Sequence, residues 1–370
     1  MSQVLSTVVP CTDCTDHRQD LEGTGHHVVD CREDPTLPGY CVLRYTQAAA
    51  TRDAPAPAAL TVTQAQAAKA IVNLFETGAV RGDYGQVTLL PGDTGRLTYG
   101  RAQTTLGSGN LDVLIERYCA AAGARFGARL RTWLPALAAR SPAADTDQKL
   151  HNVLRACADD PVMRDVQDAF FDEMYWEPAV RAATRMGMRS PLGVAVVYDG
   201  WVHGAWGLLR DRTSAGGTLL KVGEHEWIHH YVRTRREWLA THPNALLRQT
   251  VYRMDAFERL ITLDAWSLPL PLVVRGAEIS TASLVGLPPG CYDGPEPGSR
   301  ELGVRTPLQR GLDVRLVQLA LSDQGCDVRA DGIFGNGTAK FIRAFQRTND
   351  LPETGVADVG LIRRLVKLEA

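Results

Sequence analysis

Two stretches rich in proline and small residues divide this chain, and they constrain its fold more than any other feature. Residues 46–60 read TQAAATRDAPAPAAL, and residues 287–303 read LPPGCYDGPEPGSRELG. Neither stretch shows apolar periodicity, and such compositions are typical of linkers. They predict a Cys-rich module at 1–45, a main domain at 61–286 and a small module at 304–370. Two or three modules are also what a chain of 370 residues leads us to expect.

Charge and hydropathy argue against two classes of protein. The formal net charge is −2 and the sequence pI is about 6.5, whereas a nucleic-acid-binding domain usually carries a basic patch and a high pI. No apolar run reaches about 20 residues, so no transmembrane helix is predicted. The beginning, MSQVLSTVVPCTDC, has neither a basic region nor a long apolar core. We therefore expect synthesis in the cytoplasm without a secretory signal peptide.

Four of the eight cysteines lie in the first 41 residues, namely Cys11, Cys14, Cys31 and Cys41. Three interpretations compete: two disulfides, a zinc site and free thiols. The CxxC motif at Cys11–Cys14 favours zinc, with His17, His26 and His27 as further candidate ligands. The other two cysteines are too far apart in sequence for an ordinary zinc-ribbon knuckle. Two disulfides are the first expectation, and the N-terminal role stays open.

The start of the main domain has the order helix, glutamate, small β element, helix. Thr63 and Gln66 have capping-box spacing, and the apolar residues that follow recur at helical spacing up to Glu76. Five glycines then interrupt the chain between positions 78 and 95, and two β-like pieces, QVTLL and RLTYG, lie among and after them. Asn110 is predicted to cap the next helix.

Glu76 and Asp93 together fit the chemistry of glycoside hydrolysis. That reaction needs one protonated carboxyl to donate to the leaving oxygen and one ionised carboxyl to activate water or attack the sugar. Glu76 follows Phe75 at a helix end, where apolar neighbours favour the protonated form. Asp93 lies in a Gly-rich polar loop, which favours ionisation. Residue type alone would leave most helix-end glutamates simply solvated.

Residues 68–118 resemble the catalytic segment of the glycoside hydrolase family 46 chitosanases, within the lysozyme-like superfamily. That family has a helix ending in the acid Glu and a GDGRGYT-type loop with the base Asp, and here the loop reads GDTGRLTYG. The family's water-holding threonine, five residues after the base, corresponds to Thr98. The resemblance therefore implies Glu76 as general acid, Asp93 as general base and Thr98 as the residue that orients water, in an inverting reaction.

A second block, DVQDAFFDEMYWEPAVRAATRMGMRSPLGVAVVYDGWVHG in 165–204, matches the same family in order, including Asp199 and His203. The implied fold is mainly α: a lysozyme-like, two-lobed α+β domain with a small β element beside a glycan cleft. The resemblance also implies substrate-binding residues, which are Asp83, Tyr99, Gln103, Asn110 and His203. Neither a cofactor nor a catalytic metal is expected.

Residues 314–365 resemble the three-helix peptidoglycan-binding domain of many cell-wall hydrolases. The matching positions include Val317 and Leu321 on one helix face and Phe341 and Phe345 on another. The segment DGIFG supplies a tight turn, because glycine adopts positive φ at low cost. This module is predicted to bind peptidoglycan and to raise the enzyme's local concentration there.

One departure from the family bears on the substrate. The chitosanases have a GTGD turn whose aspartate pairs with a glucosamine ammonium, and the turn here reads Gly107-Ser108-Gly109-Asn110. A neutral amide suits an acetamide or hydroxyl instead, which favours peptidoglycan and muramidase activity. Asn110 serving only as a helix cap is the competing interpretation. A chitosanase is the runner-up function, and the third is a non-catalytic wall-binding protein, which an intact Glu76, Asp93 and Thr98 argue against.

The string His225-Glu226-Trp227-Ile228-His229 imitates the HExxH zinc motif of metalloproteases. A third ligand is required, and Arg235 stands where a metzincin would have its histidine. We therefore expect no zinc catalysis. Four arginines are candidates to brace carboxylates under the site, with a solvated helix face as the alternative: Arg233, Arg235, Arg236 and Arg253.

The expected partners are peptidoglycan glycan strands, without nucleic acid or a membrane span. A chain made without a signal peptide that acts on the cell wall suits a phage endolysin or an antibacterial effector. Such an effector would also have delivery machinery and an immunity protein as partners. The expected place of action is the periplasm of a target cell, or the host wall during lysis.

Overall fold

The computed structural model describes residues 4–11, 14–23, 27–33, 40–46, 60–89, 95–101 and 103–367. The chain forms two compact units. Unit 1 comprises Met1–Gly82 with Phe170–Gly286, and unit 2 comprises Asp83–Ala169 with Leu287–Ala370. The fold is mainly helical with small sheets, which confirms the predicted class. Within the described ranges, no helix combines the length and the apolar character needed to cross a membrane.

In chain order, the first half contains β1 (Val4–Pro10), α1 (Cys14–Gly23), β2 (His27–Glu33), β3 (Tyr40–Thr46), α2 (Val62–Thr77), β4 (Val87–Thr88), β5 (Thr98–Tyr99), β6 (Thr104–Thr105), α3 (Asn110–Ala120), α4 (Gly127–Leu130), α5 (Leu134–Ala138), α6 (Ala143–Thr146), α7 (Gln148–Cys157) and α8 (Pro161–Phe171). The second half contains α9 (Glu177–Met186), α10 (Pro191–His203), α11 (Trp206–Gly216), α12 (Leu219–Val222), α13 (Glu224–Thr241), α14 (Ala245–Arg248), α15 (Tyr252–Thr262), β7 (Leu272–Val274), β8 (Ala277–Ile279), α16 (Thr281–Val285), α17 (Leu312–Asp323), α18 (Asn336–Thr348) and α19 (Val359–Val366). The antiparallel sheets have the orders β1-β3-β2, β4-β5-β6 and β7-β8.

Helix α2 begins two residues earlier than the sequence predicted. The Gln64 N–H donates to the Thr61 hydroxyl at 3.2 Å, and the Thr61 N–H donates to the Gln64 side chain at 3.0 Å, which is a capping box. The predicted box of Thr63 and Gln66 is therefore wrong. Both pairs have the same spacing in TVTQAQ, and the earlier one yields the longer helix.

Helix α10 is the centre of unit 1 and packs against α2, α9 and α13. Every residue from Leu192 to Trp201 is buried. Helix α2 contributes a face of small and apolar residues to the same unit, namely Ala67, Ala68, Ala70, Ile71, Val72, Leu74 and Phe75. A helix buried all round is expected to be apolar all round, so the aspartate at position 199 stands out.

The N-terminal sheet and α1 belong to unit 1. The His17 ring on α1 meets the edge of the Trp201 ring on α10, with centroids 3.9 Å apart. Burial lowers the pKa of His17 to about 3, so this histidine is neutral at ordinary pH. The Tyr45 hydroxyl on β3 donates to the sulfur of Met174 at 3.1 Å. The module is thus packed onto the helices of unit 1. His26 and residues 47–59 of the predicted linker lie outside the described residues.

The predicted three-helix C-terminal module is confirmed as α17, α18 and α19. Its core is formed mainly by side chains from these helices and the DGIFG turn: Leu302, Val314, Val317, Leu321, Val328, Phe334, Ala339, Ile342, Ala357, Leu361, Ile362 and Leu365. Helix α17 packs against α7, which precedes it by more than 150 residues in the chain. The module is therefore an integral layer of unit 2.

Hydrogen bonds and an ion pair between buried polar groups stabilise the packing of the C-terminal module near α7 within unit 2. The Asn152 amide donates to the carbonyl of Val328 at 2.7 Å and accepts from the Ala330 N–H at 2.9 Å. Arg315 lies 3.0 Å from the Asp159 carboxylate, and both side chains are buried. The Tyr292 N–H, from the stretch predicted as a linker at 287–303, donates to Asp159 at 2.7 Å. Buried polar contacts therefore join residues of the main domain, the predicted linker and the C-terminal module, which the sequence analysis predicted as separate segments.

Candidate active site

Glu76 lies at the last turn of α2. The helix ends where Gly78 takes the left-handed conformation with φ 73°, and the Gly78 N–H donates to the Leu74 carbonyl at 3.2 Å. While the apolar face of α2 is buried, the Glu76 side chain is 41% exposed. Glu76 therefore presents a carboxylate to solvent from a rigid element. The apolar enclosure that the sequence suggested is not what surrounds it.

Arg253, at the start of α15, holds that carboxylate. Its guanidinium donates to a Glu76 oxygen at 2.5 Å and to Asp199 on α10 at 2.9 Å. Arg253 and Asp199 are almost fully buried, with side-chain exposures of 2% and 0%. Burial alone would lower the pKa of Arg253, but Asp199 and then Glu76 raise it above its ordinary value. Arg253 is a fixed cation that orients Glu76.

A second buried arginine completes the cluster behind Glu76. Arg235 on α13 lies 4.0 Å from Asp199 and donates to the carbonyl of Gly204 at 2.8 Å. Its Nη2 is 2.9 Å from Nδ1 of His203 at the end of α10. Burial and the two neighbouring arginines lower the pKa of His203 to about 2, so the ring is neutral and accepts this bond. We assign His203 a positioning role, whereas the sequence predicted a direct substrate contact.

The structure selects two of the four arginines that the sequence singled out. Arg235 and Arg253 are buried and brace Asp199, as described above. Arg236 instead pairs with the exposed Asp255 at 2.7 Å, and Arg233 lies 3.8 Å from Glu258. These last two fit the alternative of a solvated helix face.

Asp93, the predicted general base, lies outside the described residues, and so does the loop 90–94. Its pairing with Glu76 stays a prediction. The residues that follow are described and belong to unit 2. Arg96 donates twice to Asp145, at 2.9 and 2.7 Å, and the Leu97 N–H donates to the same carboxylate at 3.1 Å. Asp145 thereby anchors Arg96 and Leu97, and no sequence signal pointed to it.

Thr98 and Tyr99 form strand β5, between β4 and β6. Thr98 is 6% exposed, and its hydroxyl donates to the Arg96 carbonyl at 3.1 Å. Tyr99 is 0% exposed, and burial raises the pKa of its phenol well above the usual value. A fully buried ring is at odds with the predicted sugar contact, so we interpret Tyr99 as a core residue of unit 2.

The other predicted substrate residues lie in turns of unit 2. The Asp83 carboxylate accepts the Gly85 N–H at 3.0 Å, and this turn leads into β4. Gln103 is exposed, in a turn with φ 50° between β5 and β6. Both remain candidates for contact with a sugar chain.

Asn110 is the first residue of α3 and not its cap. Gly109 holds the N-cap position with φ 81°, and no side chain caps the helix there. The Asn110 N–H donates to the Ser108 hydroxyl at 3.3 Å. Arg140 approaches the same turn and donates to the Ser108 carbonyl at 3.3 Å. The predicted N-cap is therefore wrong, because a glycine with positive φ starts this helix, and a cation lies beside the turn.

The HExxH string lies on α13, where its two histidines have different partners. His225 stacks on Trp266 with ring centroids 3.7 Å apart, and His229 pairs with Glu258 at 2.9 Å. Glu226 instead pairs with His230, one turn further along the helix, at 2.8 Å. Within the described part of the chain, the group of cysteines, histidines or carboxylates whose ligand atoms come closest together is Cys14, Cys31 and Cys41. The structure joins these cysteines in two disulfides, Cys11–Cys41 and Cys14–Cys31, which agrees with the first expectation from the sequence.

Comparison with known proteins gives two family matches. The family described as glycosyl hydrolase family 46 matches residues 70–272. The family described as a putative peptidoglycan binding domain matches residues 310–365. A chitosanase of Bacillus subtilis (strain 168) is 27% identical over 240 residues, covering 60% of this chain and 85% of that protein.

Solved chitosanase structures are similar as well. The native chitosanase of Bacillus subtilis MY002 is 27% identical, with a TM-score of 0.49 over 58% of this chain and 95% of that one. A Gynuella sunshinyii chitosanase in complex with chitotetraose is 26% identical, with a TM-score of 0.48 over 60% of this chain and 98% of that one.

Proposed function

Because this chain belongs to glycosyl hydrolase family 46 and is therefore a glycoside hydrolase, we propose that it cuts the β-1,4-linked glycan strands of peptidoglycan. The observation that carries the hydrolytic role is the Glu76 carboxylate, exposed at a helix end and held by a buried Arg253. A proton donor needs such a fixed position, because small displacements of a catalytic group cost much of its effect.

In the proposed reaction, Glu76 protonates the leaving glycosidic oxygen. Asp93 takes a proton from a water molecule that Thr98 helps to orient, and this water attacks the anomeric carbon from the opposite face. The product sugar then has inverted configuration. Asp199, Arg235 and Arg253 touch no substrate in this scheme, and they act by holding Glu76 in place.

Two observations favour peptidoglycan as the substrate. The first is the C-terminal module, which matches a peptidoglycan-binding family over residues 310–365. The second is the turn before α3, where Asn110 replaces the carboxylate of the family's GTGD turn and Arg140 donates to Ser108. A glucosamine ammonium would meet a neutral amide and a nearby cation there, whereas an acetamide can hydrogen-bond with both.

Chitosan is the second candidate substrate, and a specific finding favours it. The similar protein of Bacillus subtilis (strain 168) is a chitosanase by name. In both cases the bond is a β-1,4 link between amino sugars, so the same acid and base serve either polymer. The two candidate substrates differ in the charge at the sugar nitrogen, which is a cationic ammonium in chitosan and a neutral acetamide in peptidoglycan.

The deciding experiment compares purified sacculi with chitosan of low and high N-acetylation, using the full chain. New reducing ends and product masses are measured, with Glu76→Gln as the blank. We expect release from sacculi and from N-acetylated chitosan, and little from fully deacetylated chitosan. The reverse order of rates would make the protein a chitosanase, and no release from any substrate would refute the hydrolytic role.

An Asn110→Asp variant tests the turn directly. It should raise the rate on deacetylated chitosan relative to sacculi, because a carboxylate attracts the ammonium. Asn244→Asp makes the same change of charge at the cap of α14 and should leave the ratio unchanged. Equal ratios in both variants would remove Asn110 from the specificity argument. Proton NMR of the first product checks the mechanism, and an initial β-anomer would contradict inversion.

The proposed place of action is the bacterial cell wall, which holds the glycan that both modules would recognise. Delivery machinery, an immunity protein and the endolysin or effector roles stay predictions from the sequence. They become testable once the substrate is known.

A further inference from the structure

We propose that Gln167, on α8, is a positioning residue that holds strand β5 and thereby Thr98 in place. The proposal rests on the proposed function, in which Thr98 helps to orient the attacking water. Gln167 belongs to the second block of family resemblance, where the sequence alone assigned it no role. In the structure it is 1% exposed, and it lies within unit 2.

The Gln167 amide binds the backbone on both sides of the hairpin formed by β4 and β5. Its Nε2 donates to the Tyr84 carbonyl at 3.0 Å, ahead of β4. Its Oε1 accepts the Arg101 N–H at 3.1 Å, after β5. The donor and the acceptor of this buried amide are thus both used. Gln167 therefore ties the two chain segments at the open end of the hairpin to one helix.

The next residue on α8 binds the side chains of the same two residues. The Asp168 carboxylate accepts the Tyr84 hydroxyl at 2.5 Å, and it pairs with the buried Arg101 guanidinium. Gln167 thus holds the main chain of Tyr84 and Arg101, while Asp168 holds their side chains. We call Gln167 and Asp168 together the α8 clamp.

Gly100 makes room for the α8 clamp. It lies between β5 and Arg101 with φ 76°, and its N–H donates to the Gln86 carbonyl at 2.9 Å, which extends the pairing of β4 with β5. A Cβ atom at position 100 would overlap the side-chain oxygen of Gln167. Glycine is required here for the positive φ and for the close approach of the amide.

Strands β4 and β5 are too short to fix their register alone. They contain two residues each, and they pair Val87 with Tyr99 and Thr88 with Thr98. Even longer hairpins are only marginally stable in isolation. A slip by one residue would exchange the faces of Thr98 and Tyr99, because side chains alternate along a strand. The α8 clamp opposes this slip, since it fixes the residues just outside both strands.

The test compares Gln167→Met with Gln309→Met in the full chain. Gln309 is a matched control because its amide also bonds two backbone groups. It accepts the Gly303 N–H at 2.7 Å and donates to the Glu301 carbonyl at 3.0 Å. Gln309 lies between the two matched family segments. Any general cost of losing such an amide should appear in both variants, and an effect through Thr98 only in the first.

We expect Gln167→Met to lower kcat about 10-fold and to leave KM within about twofold of wild type, because a misplaced water slows the reaction more than it weakens sugar binding. Gln309→Met should keep both constants. Reducing-end release is measured on whichever of sacculi and chitosan the wild-type chain cuts. An unchanged kcat in a folded Gln167→Met, a change confined to KM, or an equal loss of kcat in Gln309→Met would overturn the proposal.

Hydrogen exchange separates a failure of this proposal from a failure of the proposed function. The Arg101 amide should exchange about 10-fold faster in Gln167→Met than in wild type, because it loses its buried acceptor. This measurement needs no activity, so it tests the contact even if the wild-type chain cuts no glycan. An unchanged exchange rate would show that Gln167 does not hold β5.

A milder variant serves if Gln167→Met does not fold. Gln167→Glu keeps the acceptor for the Arg101 N–H but loses the donor to the Tyr84 carbonyl. It should also lower kcat with little change in KM, by a smaller factor than Gln167→Met. A folded Gln167→Glu enzyme with the wild-type kcat would contradict the positioning role.

Discussion

Unit 1 and unit 2 each bury an arginine beside an aspartate, but the two pairs differ in what else the arginine holds. In unit 1, Arg253 and Asp199 are 2.9 Å apart, and Arg253 also binds Glu76, whose side chain is 41% exposed. In unit 2, Arg315 and Asp159 are 3.0 Å apart, with side-chain exposures of 4% and 0%. The other donors of Arg315 bind backbone carbonyls of Arg155 and Gly290, at 2.5 Å each.

The two ion pairs illustrate two different roles, one in holding a candidate active-site residue and one in joining segments of the fold. A buried ion pair by itself is evidence for neither a catalytic nor a structural role. The desolvation penalty of the two buried charges offsets much of the free energy gained from their attraction. In unit 1 the arginine uses one donor to bind a carboxylate that reaches solvent, so the pair holds the proposed proton donor in place. In unit 2 every described acceptor of Arg315 is internal, so the pair joins α17 to the segment after α7.

The largest expected effect is on activity in unit 1. Glu76→Gln should reduce hydrolysis by about 10²–10⁴-fold, since it removes the proposed proton donor. The Gln side-chain oxygen can still accept from Arg253, so the melting temperature should hardly change. Reducing-end release and thermal unfolding measure the two effects. Glu278→Gln, at an exposed position on β8, is the matched control and should keep full activity. Activity within about twofold of wild type would remove Glu76 from the mechanism.

The second effect is on stability in unit 2. Arg315→Met should lower the free energy of unfolding by about 3–5 kcal/mol, because it leaves Asp159 buried without its cation. Burial already raises the pKa of Asp159 to about 6 despite Arg315. Chemical denaturation provides the measurement. Arg305→Met breaks an exposed pair with Glu301 and should cost less than about 1 kcal/mol. Equal losses in the two variants would contradict the assembly role of Arg315.

A smaller effect tests the positioning role of Arg253. Arg253→Lys keeps the charge but loses the planar fork that reaches Glu76 and Asp199 together. We expect kcat to fall by about 10–100-fold with little change in KM. Arg236→Lys, in an exposed pair with Asp255, should leave both constants unchanged. A full-rate Arg253→Lys enzyme would show that charge alone suffices.

The smallest effect is a pH dependence in unit 1. The pKa of His203 is lowered to about 2 by burial and two arginines. Below the unfolded value of about 6.5, the unfolded chain therefore binds a proton that the folded chain does not, and stability falls as the pH falls. His203→Gln should make this acid-side slope shallower by less than about 1.4 kcal/mol per pH unit. Urea denaturation between pH 6 and 4 measures it. An unchanged slope would mean that the ring is protonated in the folded state.

Local patterns account for what the sequence predicted well. The apolar face of α2, the glutamate at its end and the three helices of the C-terminal module all rest on spacings of a few residues. The two errors are local as well. The cap of α2 was placed at the second of two equal motifs, and the cap of α3 at Asn110 although Gly109 precedes it.

The sequence by itself determined the helical class, the family of the main domain and the identity of Glu76 as a candidate acid. Only the tertiary structure decided which arginines hold that acid, that the cysteines converge, and that the C-terminal module is part of unit 2. Arg253 and Glu76 are 177 residues apart, and Asn152 and Val328 are 176 apart. Periodicity and capping act within one or two helical turns, so they carry no information about which distant charges will be buried together. That choice depends on how the whole unit excludes water, because a buried charge is stable only where the fold supplies its partner.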